Sequence, residues 1–277
     1  RLGDNILKAL IYLAAGVAIA LLVGIMGYVF VRGLPQISWQ FLSTVQSSLK
    51  GTFGILGNIV NTLYIIVITL IIAAPIGIGS AIYLNEYAKP GKLVRTIEFT
   101  TEILSGIPSI IFGLFGMVFF GMTLKLGYSI LTGSFTLTLM VLPLITRNTQ
   151  EALKTVPDSY RSGALGIGAT KWYMIRTILL PSAAPGILTG VILSIGRIVG
   201  ESAALLFTAG SGFQLPKNLF GKLFESSGTL TIQLYLSMQK AKYDQAFGIA
   251  VVLLIIVLGI NLLTRFLTNR FDVTKLK

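Results

Sequence analysis

Two charged residues stand where an apolar sequence should exclude them. Arg197 and Glu201, in the phrase GRIVGES, follow an uncharged run over 177–196. If that run is a membrane helix entered near Pro181, a rise of roughly 1.5 Å per residue puts both charges near or past the middle of the bilayer. A charge at that depth costs about 2.5–3.5 kcal/mol on insertion scales, so it needs a partner, protein or water beside it. Spaced i, i+4, the two can pair with each other and help helices assemble. The other use is a transport pathway. A guanidinium offers planar donors to the oxygen pairs of an anion, and Glu201 would hold Arg197 and weaken its grip, so that the anion passes rather than sticks.

A second set of charges is arranged in a ladder. Arg147, Glu151, Lys154, Asp158 and Arg161 recur at spacings of 4, 3, 4 and 3 in the polar stretch RNTQEALKTVPDSYRSGALGIGATKWYMIRTILLP, residues 147–181. On one helical face such pairs contribute a few tenths of a kcal/mol each, which suits a solvated surface. Pro157 disfavours helix at Val156 and starts a second, short helix; Gly163, Gly166 and Gly168 end it, and Thr170 caps the next. The segment is long for a plain helix connection, and its glycines let another backbone come close.

Other chemistry is excluded by what the chain lacks. It contains no cysteine and no histidine, which removes disulfides, thiolate and imidazole metal sites, and Cys/His catalysis. The nearest approach to a GxxxxGK[ST] phosphate loop, Gly163 to Gly168, continues with Ala169 instead of Lys, so ATP binding by this chain in the usual way is not expected. No carboxylate cluster suggests a metal or hydrolytic site, so no catalytic residue and no cofactor is expected.

The elements that must carry these charges are membrane helices. The chain is 54% apolar and only 12% charged, with a mean hydropathy of +0.83. Uncharged runs at 9–31, 51–85, 103–124, 126–146, 177–196 and 245–264 each suffice for a hydrocarbon core that takes about 20 helical residues. The reading is an all-α polytopic protein with about six crossings, the first run being a retained helix and residues 202–216 continuing the fifth. The net charge of +12 does not point to nucleic acid, because the basic residues sit at the ends of the apolar runs. With the N-terminus inside, fourteen of the 22 basic residues fall on the cytoplasmic side, seven outside and Arg197 within a span. The positive-inside rule then puts both termini in the cytoplasm. The chain reads as one membrane domain, 1–277, with a cytoplasmic segment at about 147–176 and an outer segment at about 210–244. Residues 38–50 are expected to lie on the outer surface. Pro75, Gly77 and Gly79 are expected to bend the second helix, and a helix bearing Glu98 and Glu102 leads into the third run. Gly186 with Gly190, and Gly196 with Gly200, have the four-residue spacing that lets helices pack closely.

Counting back from Ile178, Leu180 and Pro181, the cytoplasmic segment resembles the signature of ABC importer permeases, EAA, three residues, Gly, nine residues, Ile-x-Leu-Pro. The matching positions are Ser162-Gly163-Ala164 and Gly168. The phrases SGIPSIIFGLFG, VLPLITRNTQEALKTVP, GATKW, LPSAAPGILTGVIL and GRIVGESAALLFTAG, spread over residues 105–210, are similar to permeases of the phosphate-specific, PstA-like type. The resemblance implies a type I permease fold in the cell (inner) membrane, surrounded by lipid. It implies two copies of an ATP-binding subunit that dock on a coupling helix here bearing Asp158, Arg161, Ser162, Gly163, Ala164 and Gly168. It also implies a second, homologous permease, an external phosphate-binding protein, and phosphate as substrate, with Arg197 and Glu201 on its pathway. Ser162 replaces the usual Glu of the signature, which leaves Asp158, Arg161 and Glu151 as the nearby charges able to replace it. Two other classes predict different sequences. A stand-alone ion-coupled transporter or channel should show inverted repeats and several titratable groups within the spans, and a membrane scaffold needs neither Arg197 nor Glu201. A permease for another oxyanion fits the same residues.

Overall fold

The computed structural model describes residues 2–47, 51–216 and 218–271; Arg1, Lys50, Lys217, Lys275 and Lys277 of the charge pattern lie outside the described residues. The chain begins with α1 (Leu2–Gly33), a short α2 (Trp39–Ser43), β1 (Val45–Ser47) and β2 (Thr52–Ile55), then α3 (Leu56–Ile82) with a π-helical turn over Tyr83–Tyr87. Next come α4 (Lys92–Gly106), α5 (Ser109–Gly116) prolonged by a π stretch to Thr123, α6 (Ile130–Lys154) and α7 (Asp158–Gly166). Then α8 (Lys171–Met174) passes through a π turn into α9 (Leu180–Gly200), followed by α10 (Ala203–Thr208), α11 (Leu230–Gln239) and α12 (Tyr243–Phe271).

Five helices are long and apolar enough to cross a membrane, and a sixth crossing is made if α4 and α5, bent by 103° at their junction, count as one span. The expected six crossings therefore include one broken helix. Its cause is local. Ile107 precedes Pro108 and is held extended, at φ −70° and ψ 131°, because the pyrrolidine ring excludes helical geometry from the residue before it. By contrast, α3 continues through Pro75 without ending.

The core forms around α6, two thirds of whose span (67%) is buried, against 0% for α1. Ile65 and Ala73 of α3, Leu137, Met140, Val141 and Ile145 of α6, and Ile198 and Val199 of α9 make its centre. Small residues bring the three backbones together: a Cβ on Gly77 would strike Ile145, one on Gly186 would strike Ala152, and one on Gly190 would strike Asn148. The Gly186/Gly190 pair thus packs within the chain, whereas Gly196 and Gly200 have nothing within 4 Å of where a Cβ would stand. α1 is apolar all round, as suits a helix facing lipid or a partner. It leans on α12, where Tyr28 and Phe247 meet edge to face at 5.6 Å.

One expectation needs correction. Residues 202–216 do not continue the fifth crossing. The chain turns at Glu201 (φ −81°, ψ 126°), the Glu201 carboxylate accepts the N–H of Ala204 at 3.1 Å, and the six residues of α10 pack back onto α5. The all-α architecture carries one short strand pair. Ser38 caps α2 by accepting from Phe41 N at 3.1 Å, and the chain then forms an antiparallel pair, Val45 opposite Ile55 and Ser47 opposite Thr52. The outer segment is tied to the start of α3. Asn58 and Asn61 donate their side-chain amides to the Gly228 carbonyl at 2.9 and 3.2 Å, and Leu230 N donates to Thr62 Oγ1 at 3.0 Å.

Candidate functional site

A cleft of about 320 Å³ lies between α4, α6 and α9. On α4 it is lined by Glu98, Thr101, Glu102 and Ser105, whose spacing of three and four residues is one face of a helix. On α6 the lining runs from Met140, Pro143 and Leu144 to Arg147, Asn148, Gln150, Glu151 and Lys154. Leu84, from the π turn after α3, and Arg197 complete it. The wall is apolar towards the centre of α6 and polar towards the end that leads into α7.

The depth of Arg197 follows from the packing. Gly190 meets Asn148 and the two helices run antiparallel, so seven residues further along α9, roughly 10 Å, Arg197 is level with Val141. That is near the middle of α6. The expected pairing is absent. No ion pair joins Arg197 to Glu201, whose carboxylate is used by Ala204 N and whose carbonyl accepts from Thr231 Oγ1 at 2.9 Å. Among the described residues neither Arg197 nor Arg147 has a hydrogen bond or ion pair from its side chain. Both are exposed within the chain. The cleft therefore offers two guanidinium groups with open donors, faced by the carboxylates Glu98 and Glu102. Lys154 is engaged with Glu151 at 3.5 Å.

The ladder of charges is divided by the break at Pro157. Arg147, Glu151 and Lys154 belong to the cleft wall on α6, while Asp158 and Arg161 belong to α7. The break and the cap stand where the sequence puts them: α6 ends at Lys154, α7 begins at Asp158, and Thr170 accepts from Tyr173 N at 3.3 Å. Gly168 ends the turn with φ +83°, a backbone state that suits glycine. On α7, Asp158, Ser162 and Gly163 are exposed, as is Gly168 beyond it. The Ser162 hydroxyl donates back to the Asp158 carbonyl at 3.2 Å. Ala164 is buried against Leu153, Val156, Met174 and Ile175. Arg161 turns inward, where Nη2 meets Glu86 Oε1 at 3.0 Å.

Sequence reading did not single out Glu98, Glu102 and Arg147 as companions of Arg197, nor Glu86 as the partner of Arg161. A signal for the first exists in the i, i+4 spacing of Glu98 and Glu102. For Glu86 the signal is weaker, a lone carboxylate closing the uncharged run 51–85.

Residues 73–274 match the family described as binding-protein-dependent transport system inner membrane component. The chain is 35% identical to a probable ABC transporter permease protein, YqgI, of Bacillus subtilis, over 96% of this chain and 95% of that protein. It is 32% identical to the phosphate transport system permease protein PstA of Mycobacterium leprae, over 98% of this chain and 91% of that protein. Its fold is shared with a chain of a bacterial alginate ABC transporter in complex with an alginate pentasaccharide-bound periplasmic protein, at a TM-score of 0.72 and 17% identity, covering 98% of this chain and 96% of the other.

Proposed function

Since the chain belongs to the family of inner membrane components of binding-protein-dependent transport systems, we propose that it is a permease subunit of an ATP-driven phosphate importer and that the α4–α6–α9 cleft is its half of the pathway. The observation that carries the reading is the unpaired Arg197 at mid-span in a cleft that continues past Arg147 to the end of α6. A guanidinium at that depth is tolerated where water or an anion replaces its hydration shell. Phosphate brings one to two negative charges and oxygen pairs that match the planar donors of Arg. Glu98 and Glu102 face the same cleft and oppose prolonged binding of an anion, as conduction requires. Glu201, at the helix break, shapes the outer end of α9 by capping α10.

Energy for the movement comes from two copies of a separate ATP-binding subunit, docked on the exposed side of α7. That side carries Asp158, Ser162 and Gly163 together with the apolar Tyr160, Leu165 and Ile167, which are 50%, 50% and 87% exposed. Apolar groups of this size exposed on a cytoplasmic turn suit a covered surface better than an aqueous one. A second, similar permease would supply the facing half of the pathway, and an external phosphate-binding protein would deliver the anion to the outer segment. PstA relatives over nearly the whole length support phosphate as the oxyanion. The test is ATP-dependent uptake by the assembled complex in vesicles, comparing phosphate, sulfate and molybdate. Phosphate should be moved at least tenfold faster than the others; equal rates, or uptake without ATP, would overturn the reading.

A further inference from the structure

Arg161 spends every part of its guanidinium group on this chain. Nη2 donates to Glu86 Oε1 at 3.0 Å and to the Leu153 carbonyl at 2.9 Å, and Nε donates to Glu86 Oε1 at 3.3 Å. Nη1 donates to the Val156 carbonyl at 2.9 Å and to Asp158 Oδ1 at 3.0 Å. Leu153 stands in the last turn of α6 and Val156 two residues beyond its end, where helical partners run out. Glu86 has a side chain only 4% exposed, and its Oε1 also accepts from Asn85 Nδ2 at 2.7 Å. One side chain of α7 thus grips the ends of both α3 and α6. A second hold lies alongside, where the Lys171 ammonium stands 4.9 Å above the Tyr87 ring.

Stability alone does not account for this knot, since a buried ion pair can often be replaced by apolar residues without loss. Its position suggests a different use. Leu84, two residues before Glu86 in the π turn, lines the cleft, as does α6 up to Lys154. We propose that Arg161 is a positioning residue that makes α7, the π turn after α3 and the end of α6 move as one body, so that displacement of the coupling helix is delivered to the cleft wall. This rests on the reading of α7 as the ATPase docking element. The planar fork is essential to it, because a lysine ammonium at 161 cannot reach the carboxylate and both carbonyls together.

The measurement is the number of anions moved per ATP hydrolysed by the co-purified complex in vesicles, read with whichever of phosphate, sulfate and molybdate the wild type transports. In Arg161→Lys the ATPase should remain bound and hydrolysis should stay within about twofold, while the transported-per-hydrolysed ratio falls about fivefold. Glu86→Gln should lower the same ratio about threefold, and the double variant should be no worse than Arg161→Lys, because both changes break one link. A purely structural knot predicts otherwise. Complex yield would fall, with uptake and hydrolysis declining in parallel at constant ratio, and that result would overturn the proposal. Should Arg161→Lys fail to assemble, Glu86→Gln decides by the same ratio. A wild type that retains no ATPase removes this proposal together with the docking role of α7, whereas a wild type that moves sulfate instead of phosphate removes only the substrate assignment.

Discussion

Arg161 on α7 and Arg197 on α9 differ in what their guanidinium groups touch. Arg161 is largely buried, with five donor contacts to Glu86, Asp158 and two backbone carbonyls. Arg197 lines a cleft with Arg147 and has no side-chain partner among the described residues. A fork saturated by its own protein can hold helices together but has nothing left for a ligand. A fork left open at mid-span has little structural reason to be charged, and its cost is recovered when an anion or water occupies the cleft. The two sites share α6, which carries the cleft wall on one side and ends in the knot.

The sharpest way to break this comparison is to remove Arg197. Hydrogen bonds to a charged group contribute about 1.5–3 kcal/mol, so Arg197→Ala should slow phosphate uptake by roughly ten- to hundredfold. The ATPase should remain bound, which a pull-down alongside the uptake assay checks. Loss of the ATPase with the transport would make Arg197 a structural residue and not part of the pathway. The next largest effect is expected at the knot's support. Ala164→Asp would bury a carboxylate beside Leu153 and Met174, costing several kcal/mol, and thermal unfolding in detergent should show a loss of α7 docking and of bound ATPase.

Gly190→Val probes the shared helix. The new side chain would strike Asn148 and part α9 from α6 at a cost of about 1–3 kcal/mol, read as a lower Tm, with Arg197 moved relative to Arg147 and slower uptake. A smaller effect should follow the paired change Glu98→Gln with Glu102→Gln. Removing two negative charges from the cleft should strengthen anion binding and slow release, so that KM and turnover both fall by about two- to fivefold. An unchanged KM would show that these carboxylates do not face the anion. The smallest change is expected at Asp158→Asn. Its side chain is 98% exposed, and such pairs contribute at most about 1 kcal/mol, so Tm should hardly move.

Much of this arrangement was legible along the chain. The break before Pro157 and the Thr170 cap are set within a few residues by proline geometry and a hydroxyl acceptor, and the structure has them where expected; of the apolar runs, 103–124 is the one interrupted, by the bend at Ile107. Local reading failed at Glu201, where GES looks like a continued helix. The turn there depends on Glu201 capping Ala204 and on α10 finding α5, and only the latter is a distant contact. It failed again in setting Arg147 to Arg161 along one helical face. Pro157 was visible, but the consequence that its two sides face different partners was not.

By itself, the sequence determined which runs are long and apolar enough to cross a membrane, that basic residues gather at their ends, and that a guanidinium follows one of them, because each of these depends on composition and on helical rise. Tertiary structure decided the partners. Glu86 and Arg161 are 75 residues apart, and α4 shares a cleft with Arg197, 92 residues on from its last glutamate-bearing turn at Ser105. Charge at a distance carries no signal in a linear pattern until packing brings the groups within a few ångströms. The close approach of α3, α6 and α9 through Gly77, Gly186 and Gly190 brought one arginine into a closed knot and left the other open.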